Sequence, residues 1–286
     1  MNPEVRLAQV AAALDSVGLS YLVMGGHAVR FYGISRNTID YDLHVSPQDW
    51  DNLPERLGQT PLFAGRPPFE GPTRRPLEFR RFRLGQLDDG RDEWLEFWHH
   101  NHLLAPFAEL SQRCERGEYG GRVLPFLALL DLIRSKETQR HSDWQDVALL
   151  EEVLDARLLA QARTGTRDRP SALAWLRSRI GFENYLQEGY LRDPEVVRRA
   201  ILQSKLSITQ AYLLPGVPDA TGFPGAAVPI EPVIERRLRA VSPGSPLHLT
   251  LVEAVRRQYM MTMQAADRAD KEAIRAAQAN PPPNTP

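Results

Sequence analysis

Two aspartates, Asp40 and Asp42, stand at alternate positions in a segment where apolar and polar residues alternate, residues 39–45. Such alternation predicts a β-strand with two unlike faces, so both carboxylates point to the same side. Carboxylate oxygens are the ligands that magnesium prefers, and alternate strand positions present two of them together. The spacing therefore predicts a divalent-metal site at Asp40 and Asp42, whereas the same pair alone on a solvated edge strand would do no chemistry.

A pair of glycines, Gly25 and Gly26, separates the apolar run 21–24 from a segment with helical spacing over 28–32. The order is strand, glycine turn, helix. Glycine lets backbone N–H groups come close to a phosphate, and a helix N-terminus adds a favourable partial charge. Gly25 and Gly26 are therefore predicted to hold the phosphates of a nucleotide.

The stretch GGHAVRFYGISRNTIDYDL, residues 25–43, resembles the signature of the minimal nucleotidyltransferases of the DNA-polymerase-beta-like superfamily, as found in toxin–antitoxin and phage-defence systems. Their pattern is Gly-Gly, a short helix, Gly, Arg-x-Thr and then Asp-x-Asp-hydrophobic. The positions that fit it are Gly25, Gly26, Ala28, Gly33, Arg36, Thr38, Asp40, Asp42 and Leu43. A second stretch, 129–150, resembles the helical segment of the same group, and the likeness covers about residues 5–155.

The resemblance implies metal-dependent transfer of a nucleoside monophosphate from a nucleoside triphosphate, ATP among them, to an acceptor. Two divalent ions, Mg²⁺ or Mn²⁺, neutralise phosphate oxygens and align the attacking hydroxyl in such reactions. Transfer RNA or another RNA is the first-choice acceptor on resemblance, in a toxin or phage-defence setting. A nucleotidyltransferase that modifies antibiotics or proteins is one alternative, and a catalytically inactive binding or assembly module is another.

A third carboxylate, Glu96, lies in the apolar segment 94–98. Burying a carboxylate among apolar side chains without a partner is strongly unfavourable. Sites of this kind usually have a third carboxylate on a neighbouring strand, where it holds metal and can take the proton of the acceptor hydroxyl. Glu96 is the candidate for both roles, although the family more often has aspartate here. An ion pair with an arginine of the preceding segment, such as Arg80 or Arg83, is the alternative.

Three cationic side chains are candidate nucleotide ligands. Lys136 and Arg140 are four residues apart on a helix predicted from Pro125 onward, so they share a face and can present two positive charges to a triphosphate. Arg140 could equally pair with a nearby aspartate on the next helix. Arg36 is expected to brace the loop before the aspartate strand, and it is also a candidate phosphate ligand.

The sequence patterns around these residues predict an α/β (α+β) fold. It consists of a small mixed sheet with flanking helices, followed by a mostly helical C-terminal region. A helix over 4–17 ends at a glycine, and a hairpin joins 77–84 to 94–98 around Asp-Asp-Gly. Helices are also predicted over about 47–57, 142–159, 194–204 and 247–277. The expected domains are a nucleotidyltransferase domain, 1–160, and a helical region, 161–279, with a Pro/Gly-rich loop at 214–232 and a disordered tail at 280–286.

Composition sets limits on partners and location. The net charge of −1 supplies no overall basic field for nucleic-acid binding, so any RNA contact needs a local patch. A single cysteine excludes an intramolecular disulfide, and no apolar run reaches the roughly 20 residues that span a membrane. The N-terminal segment lacks the layout of a signal peptide, so a cytoplasmic location is expected. The C-terminal helices are a candidate surface for an antitoxin or another protein partner.

Overall fold

The computed structural model describes residues 2–65, 68, 79–99, 101, 104–136, 141–189 and 193–203, together with 269, 272, 275 and 276. The chain divides into two compact units, Met1–Lys136 and Glu137–Pro286. The division falls earlier than the domain boundary expected at 160. The aspartates, the glycine turn and Glu96 all belong to the first unit.

A six-stranded mixed sheet forms the centre of the first unit, in the order β3-β4-β2-β1-β6-β5. The strands are β1 Tyr21–Val23, β2 Asp40–Val45, β3 Phe79–Gln86, β4 Asp92–Trp98, β5 Glu115–Tyr119 and β6 Arg122–Phe126. β2 runs parallel to β4, and β1 runs parallel to β6, whereas the other neighbours are antiparallel. The predicted small mixed sheet is confirmed, and so is the predicted hairpin, which is β3 and β4.

Helices flank this sheet. They are α1 Pro3–Ser16, α2 Gly25–Phe31, α3 Pro47–Trp50, α4 Leu53–Gly58, a 3₁₀ turn Pro61–Phe63, α5 Phe107–Arg113 and α6 Leu129–Ser135. The single helix predicted over 47–57 is thus two short ones, α3 and α4. The core-facing side chains of the sheet, among them Leu43 and Leu95, are completely buried.

The first helix shows how local sequence sets an element's limits. The side chain of Asn2 accepts a hydrogen bond from the backbone N–H of Glu4 at 2.8 Å, and Pro3 occupies the first turn. Leu7 and Leu14 lie on one face of α1 and are fully buried. Gly18, with φ 66°, follows the C-cap, where the predicted glycine stop was expected.

The β5–β6 hairpin was not predicted. Its turn residues, Gly120 and Gly121, have φ 61° and 84°, and both central positions of a type I′ turn need positive φ. A glycine pair between two β-prone segments was therefore the available signal. Because Pro125 lies in β6, the helix predicted from that residue begins later, at Leu129.

The second unit is helical over its described part. Its helices are α7 His141–Arg163, α8 Arg169–Leu173, α9 Arg179–Gln187 and α10 Pro194–Gln203. Asp193 accepts from the backbone N–H of Glu195 at 3.0 Å and caps α10, as predicted. The predicted loop at 214–232 and tail at 280–286 lie outside the described residues. So does most of the helix expected over 247–277, of which residues 269, 272, 275 and 276 are helical.

Among the described helices, none has both the length and the apolar character that crossing a membrane requires.

Candidate active site

The register of the sheet brings three carboxylates to one face. β2 and β4 pair in parallel with Asp42 opposite Glu96 and Asp40 opposite Trp94. Directly opposite residues of neighbouring strands project to the same side, and so do residues two apart on one strand. Asp40, Asp42 and Glu96 therefore share a face, and Tyr41 projects to the other side, where it is buried.

The glycine turn abuts this carboxylate group. Gly25 has φ 64°, and a Cβ added to it would lie 1.9 Å from Oδ2 of Asp42, which no real side chain can tolerate. The backbone N–H of Met24 also donates to the carbonyl oxygen of Asp42 at 3.0 Å. Only glycine combines this backbone conformation with so close an approach. Gly25 and Gly26, predicted to form a turn before the helix, are its first two residues, so the first turn of α2 lies directly against Asp42.

The second glycine packs on the loop that precedes β2. A Cβ on Gly26 would lie 2.6 Å from Cβ of Thr38, so a larger residue would displace this loop. Thr38 donates from Oγ1 to the carbonyl oxygen of Asp40 at 3.3 Å. Nη1 of Arg30 donates to the carbonyl oxygen of Arg36 at 3.0 Å. These contacts tie the loop to α2 and to the first residue of the aspartate strand.

Glu96 has a raised pKa. Burial raises its pKa to about 7, the negative charges of Asp42 and Asp40 act in the same direction, and Arg81 opposes them. Nε of Arg81 lies 2.8 Å from Oε1 of Glu96, and its guanidinium carbon lies 4.4 Å from the centre of the Trp94 ring. A cation held between Glu96 and the neighbouring aspartates would stabilise the ionised form of Glu96.

Asp40, Asp42 and Glu96 suit a divalent cation in the chemistry of their side chains and in their positions in the strand register. All three candidate ligands supply hard oxygen donors, and the close glycine turn leaves no side chain between Asp42 and the backbone before α2. As the side chains stand, no group of three His, Cys, Asp or Glu residues within the described part of the chain has metal-holding geometry.

The arginine that pairs with Glu96 is Arg81, not Arg80 or Arg83, which were the candidates from the sequence. Arg83 pairs instead with Asp92, Nε to Oδ1, at 2.7 Å. The guanidinium carbon of Arg80 lies 4.4 Å from the centre of the Trp50 ring. Arg81 takes the position because it is directly opposite Glu96 in the β3–β4 register. That register, which depends on the turn between the strands, was the information missing from the sequence.

An aromatic side chain, Trp98, also borders the carboxylates and was not singled out from the sequence. Its Nε1 lies 3.4 Å from Oδ1 of Asp42 and donates to it. Its ring stacks on Phe79 with centroids 4.7 Å apart. Position 98 is two residues from Glu96 on the same strand, so period-2 alternation alone could have placed it on this face.

One predicted cationic ligand, Lys136, lies differently from expectation. Lys136 is the C-cap of α6, which ends at Ser135, and it is only 6% exposed. The helix predicted from Pro125 through Arg140 thus ends before Lys136, whose backbone N–H donates to the carbonyl oxygens of Leu132 and Ile133 at 3.2 and 3.1 Å. Arg140 lies outside the described residues.

No protein-family profile matches the chain, and no curated protein matches it in sequence. Among solved structures, it is similar to an antigenic nucleotidyltransferase-like protein from Paracoccidioides brasiliensis, at 17% identity, covering 53% of this chain and 77% of that one, with a TM-score of 0.37. It is also similar to the lincomycin-bound lincosamide antibiotic adenylyltransferase LnuA, at 14% identity, 54% and 98% coverage and a TM-score of 0.39. A third such structure is ANT(2")-Ia in complex with adenylyl-2"-tobramycin, at 20% identity, 59% and 99% coverage and a TM-score of 0.39. At these identities and TM-scores the likenesses do not decide the activity or the substrate of this chain.

Proposed function

We propose that the chain is a metal-dependent nucleotidyltransferase that moves a nucleoside monophosphate from a nucleoside triphosphate to an acceptor. One observation carries the proposal: Asp40, Asp42 and Glu96 share one face of two adjacent parallel strands, with the Gly25 turn against Asp42. Burial and the negative charges of Asp42 and Asp40 raise the pKa of Glu96 to about 7, and groups perturbed in this way cluster at functional sites.

Each carboxylate has a stated role in this reaction. Asp40, Asp42 and Glu96 would hold magnesium or manganese, which supplies charge neutralisation on the phosphate oxygens. The acceptor oxygen forms a bond to the α-phosphorus while the bond from that phosphorus to the bridging oxygen breaks, releasing pyrophosphate. Glu96 or Asp42 takes the proton that the acceptor hydroxyl loses.

The phosphate-binding part of the proposal rests on the glycine turn and the cationic candidates. Gly25 and Gly26 bring the backbone at the start of α2 against the side chains of Asp42 and Thr38. Arg36 lies in the loop before β2, which contacts Gly26 through Thr38. Lys136 and Arg140 remain proposed triphosphate ligands on resemblance alone.

The acceptor is proposed as transfer RNA or another RNA, in a toxin or phage-defence setting. Resemblance of the 25–43 signature supports this choice. Modification of a protein or of a small molecule such as an antibiotic is the competing choice within the same chemistry. An inactive module that uses the fold for assembly is the choice outside it.

The test is transfer of radiolabel from each of four α-labelled nucleoside triphosphates, with magnesium or manganese. Acceptors are total transfer RNA, the protein itself, an aminoglycoside and buffer alone. Wild type is compared with Asp40→Ala/Asp42→Ala and with Asp89→Asn, a matched control because Asp89 is an exposed carboxylate in the β3–β4 turn.

Each acceptor gives a distinct outcome. Label on RNA that is lost in the double variant and kept in Asp89→Asn supports the RNA-modifying enzyme. Label on the protein or on the aminoglycoside supports nucleotidyl transfer but identifies an acceptor other than RNA. If no acceptor takes label and no metal-dependent nucleotide binding is measured, the enzyme is refuted and the assembly module remains.

A further inference from the structure

Arg81, Glu96 and Asp42 form one row across three neighbouring strands. Arg81 of β3 is opposite Glu96 of β4, and Glu96 is opposite Asp42 of β2. Neighbouring strands lie about 4.8 Å apart, so Glu96 stands between a cation on one side and a like charge on the other. The Glu96 carboxylate can therefore turn in one of two directions, toward Arg81 or toward Asp42.

Glu96 is turned toward the arginine. Nε of Arg81 lies 2.8 Å from Oε1 of Glu96, and Trp94 holds the same guanidinium through a cation–π contact at 4.4 Å. The carboxylate of Asp42 instead accepts from the indole N–H of Trp98 at 3.4 Å. This arrangement agrees with the lack of a ready metal-holding group of three in the described part of the chain.

We propose that Arg81 is a positioning residue that competes with a divalent cation for Glu96. The inference rests on the metal site of the proposed function. Without metal, the guanidinium neutralises Glu96 and keeps it away from Asp42. When metal binds, Glu96 turns to Asp42 and the guanidinium keeps only its contact with Trp94.

A second ion pair between β3 and β4, formed by Arg83 and Asp92, supplies the comparison. Arg83 is two residues from Arg81, so it projects to the same face, and it pairs with Asp92 at 2.7 Å. Its position in the register is opposite Trp94 rather than opposite a candidate metal ligand. Removing either arginine deletes one positive charge near the site, but only removal of Arg81 frees Glu96.

The experiment measures Mn²⁺ binding to the full chain without nucleotide, from the electron paramagnetic resonance signal of the free ion. The variants are Arg81→Ala, Arg81→Gln, Arg83→Ala, Glu96→Gln and Arg81→Ala/Glu96→Gln. Arg81→Gln keeps most of the side-chain length and guards against a packing defect in Arg81→Ala. Circular dichroism and thermal unfolding establish that each variant is folded.

Loss of a partly exposed ion pair is expected to tighten Mn²⁺ binding about fivefold in Arg81→Ala and Arg81→Gln. Arg83→Ala is expected to change the Mn²⁺ affinity less than about twofold, because solvent and salt screen the charge of Arg83 from the site. In the Glu96→Gln background the effect of Arg81→Ala should vanish, since the two residues act through one contact.

The outcomes separate the inference from the proposed function. Mn²⁺ binding by the Arg81 variants but not by wild type supports competition in its strongest form. Equal binding by wild type and the Arg81 variants overturns the inference and leaves the metal site standing. The same gain in Arg83→Ala, or a gain that persists without Glu96, also overturns it. If neither wild type nor the Arg81 variants bind Mn²⁺ without nucleotide, the inference fails, and the proposed function is then decided by the nucleotide-transfer assay alone.

Discussion

Replacing Gly25 by alanine is expected to destabilise the fold and to disturb the carboxylate group at the same time. The backbone there has φ 64°, where a Cβ is strained by about 1–2 kcal/mol. The added Cβ would also lie 1.9 Å from Oδ2, 2.6 Å from Cγ and 2.7 Å from Cβ of Asp42. Since Cβ of Asp42 is fixed to the strand, rotating the carboxylate alone cannot remove the overlap.

The overlap adds an overpacking penalty of about 1–3 kcal/mol. Together with the backbone strain, it should lower the free energy of unfolding by about 2–5 kcal/mol in Gly25→Ala. Gly33→Ala is the matched control, because Gly33 has φ 90° with nothing within 4 Å of an added Cβ. It should show only the backbone strain, about 1–2 kcal/mol. The difference between the two variants then isolates the contact with Asp42.

The assay is urea unfolding of both variants and wild type, followed by fluorescence, together with Mn²⁺ binding at a temperature where all three are folded. Gly25→Ala should also weaken Mn²⁺ binding by more than about tenfold, because Asp42 must shift from its position and ligand geometry is exacting. If Gly25→Ala is no less stable than Gly33→Ala, or if it binds Mn²⁺ like wild type, the close approach of this turn to Asp42 is refuted.

Substitutions at three further positions test other parts of the structure. Leu14→Ala should destabilise the chain by about 2–5 kcal/mol in urea unfolding, because Leu14 is fully buried and its loss leaves a cavity; a loss below about 1 kcal/mol would mean that α1 is not packed as described. Glu93→Ala should remove about 2–4 kcal/mol, because Glu93 accepts from Arg6 at 2.8 Å and from the Tyr41 hydroxyl at 2.9 Å, whereas Glu93→Gln should lose less; equal losses would contradict the importance of the charge. Burial raises the pKa of Asp155 to about 7, so the folded chain binds more protons than the unfolded chain between about pH 4 and 7, and stability should fall as pH rises through this window. Asp155→Asn should reduce that slope in unfolding titrations across the window, and an unchanged slope would assign it to other groups.

Short-range patterns were enough to predict several elements of the first unit. The alternation over 39–45 predicted the strand β2, because period 2 is a property of the segment itself. Turn chemistry likewise predicted the β3–β4 hairpin from Asp-Asp-Gly, and helix capping predicted the stop of α1 at Gly18. The β5–β6 hairpin, which was not predicted, has a comparable local signal in its turn residues Gly120 and Gly121.

Other features depended on contacts between distant segments. Lys136 illustrates this: helical periodicity suggested one long helix through Arg140, but the last turn of α6 ends at Ser135. Periodicity does not define where a helix stops when no glycine or proline marks its end, and tertiary packing then decides. The single helix predicted over 47–57 became α3 and α4, and here a local signal existed, because Pro54 lies in the first turn of α4.

The sequence by itself determined that Asp40 and Asp42 share a face and that a glycine pair lies at the start of a short helix, because both follow from the backbone geometry of neighbouring residues. Only the tertiary structure decided that Glu96 lies opposite Asp42, that Arg81 reaches Glu96 from the other side, and that Gly25 touches Asp42. The physical reason is register: alternation is satisfied equally by every pairing shifted by two residues. The choice among these pairings is made by core packing and by connections far away in the chain.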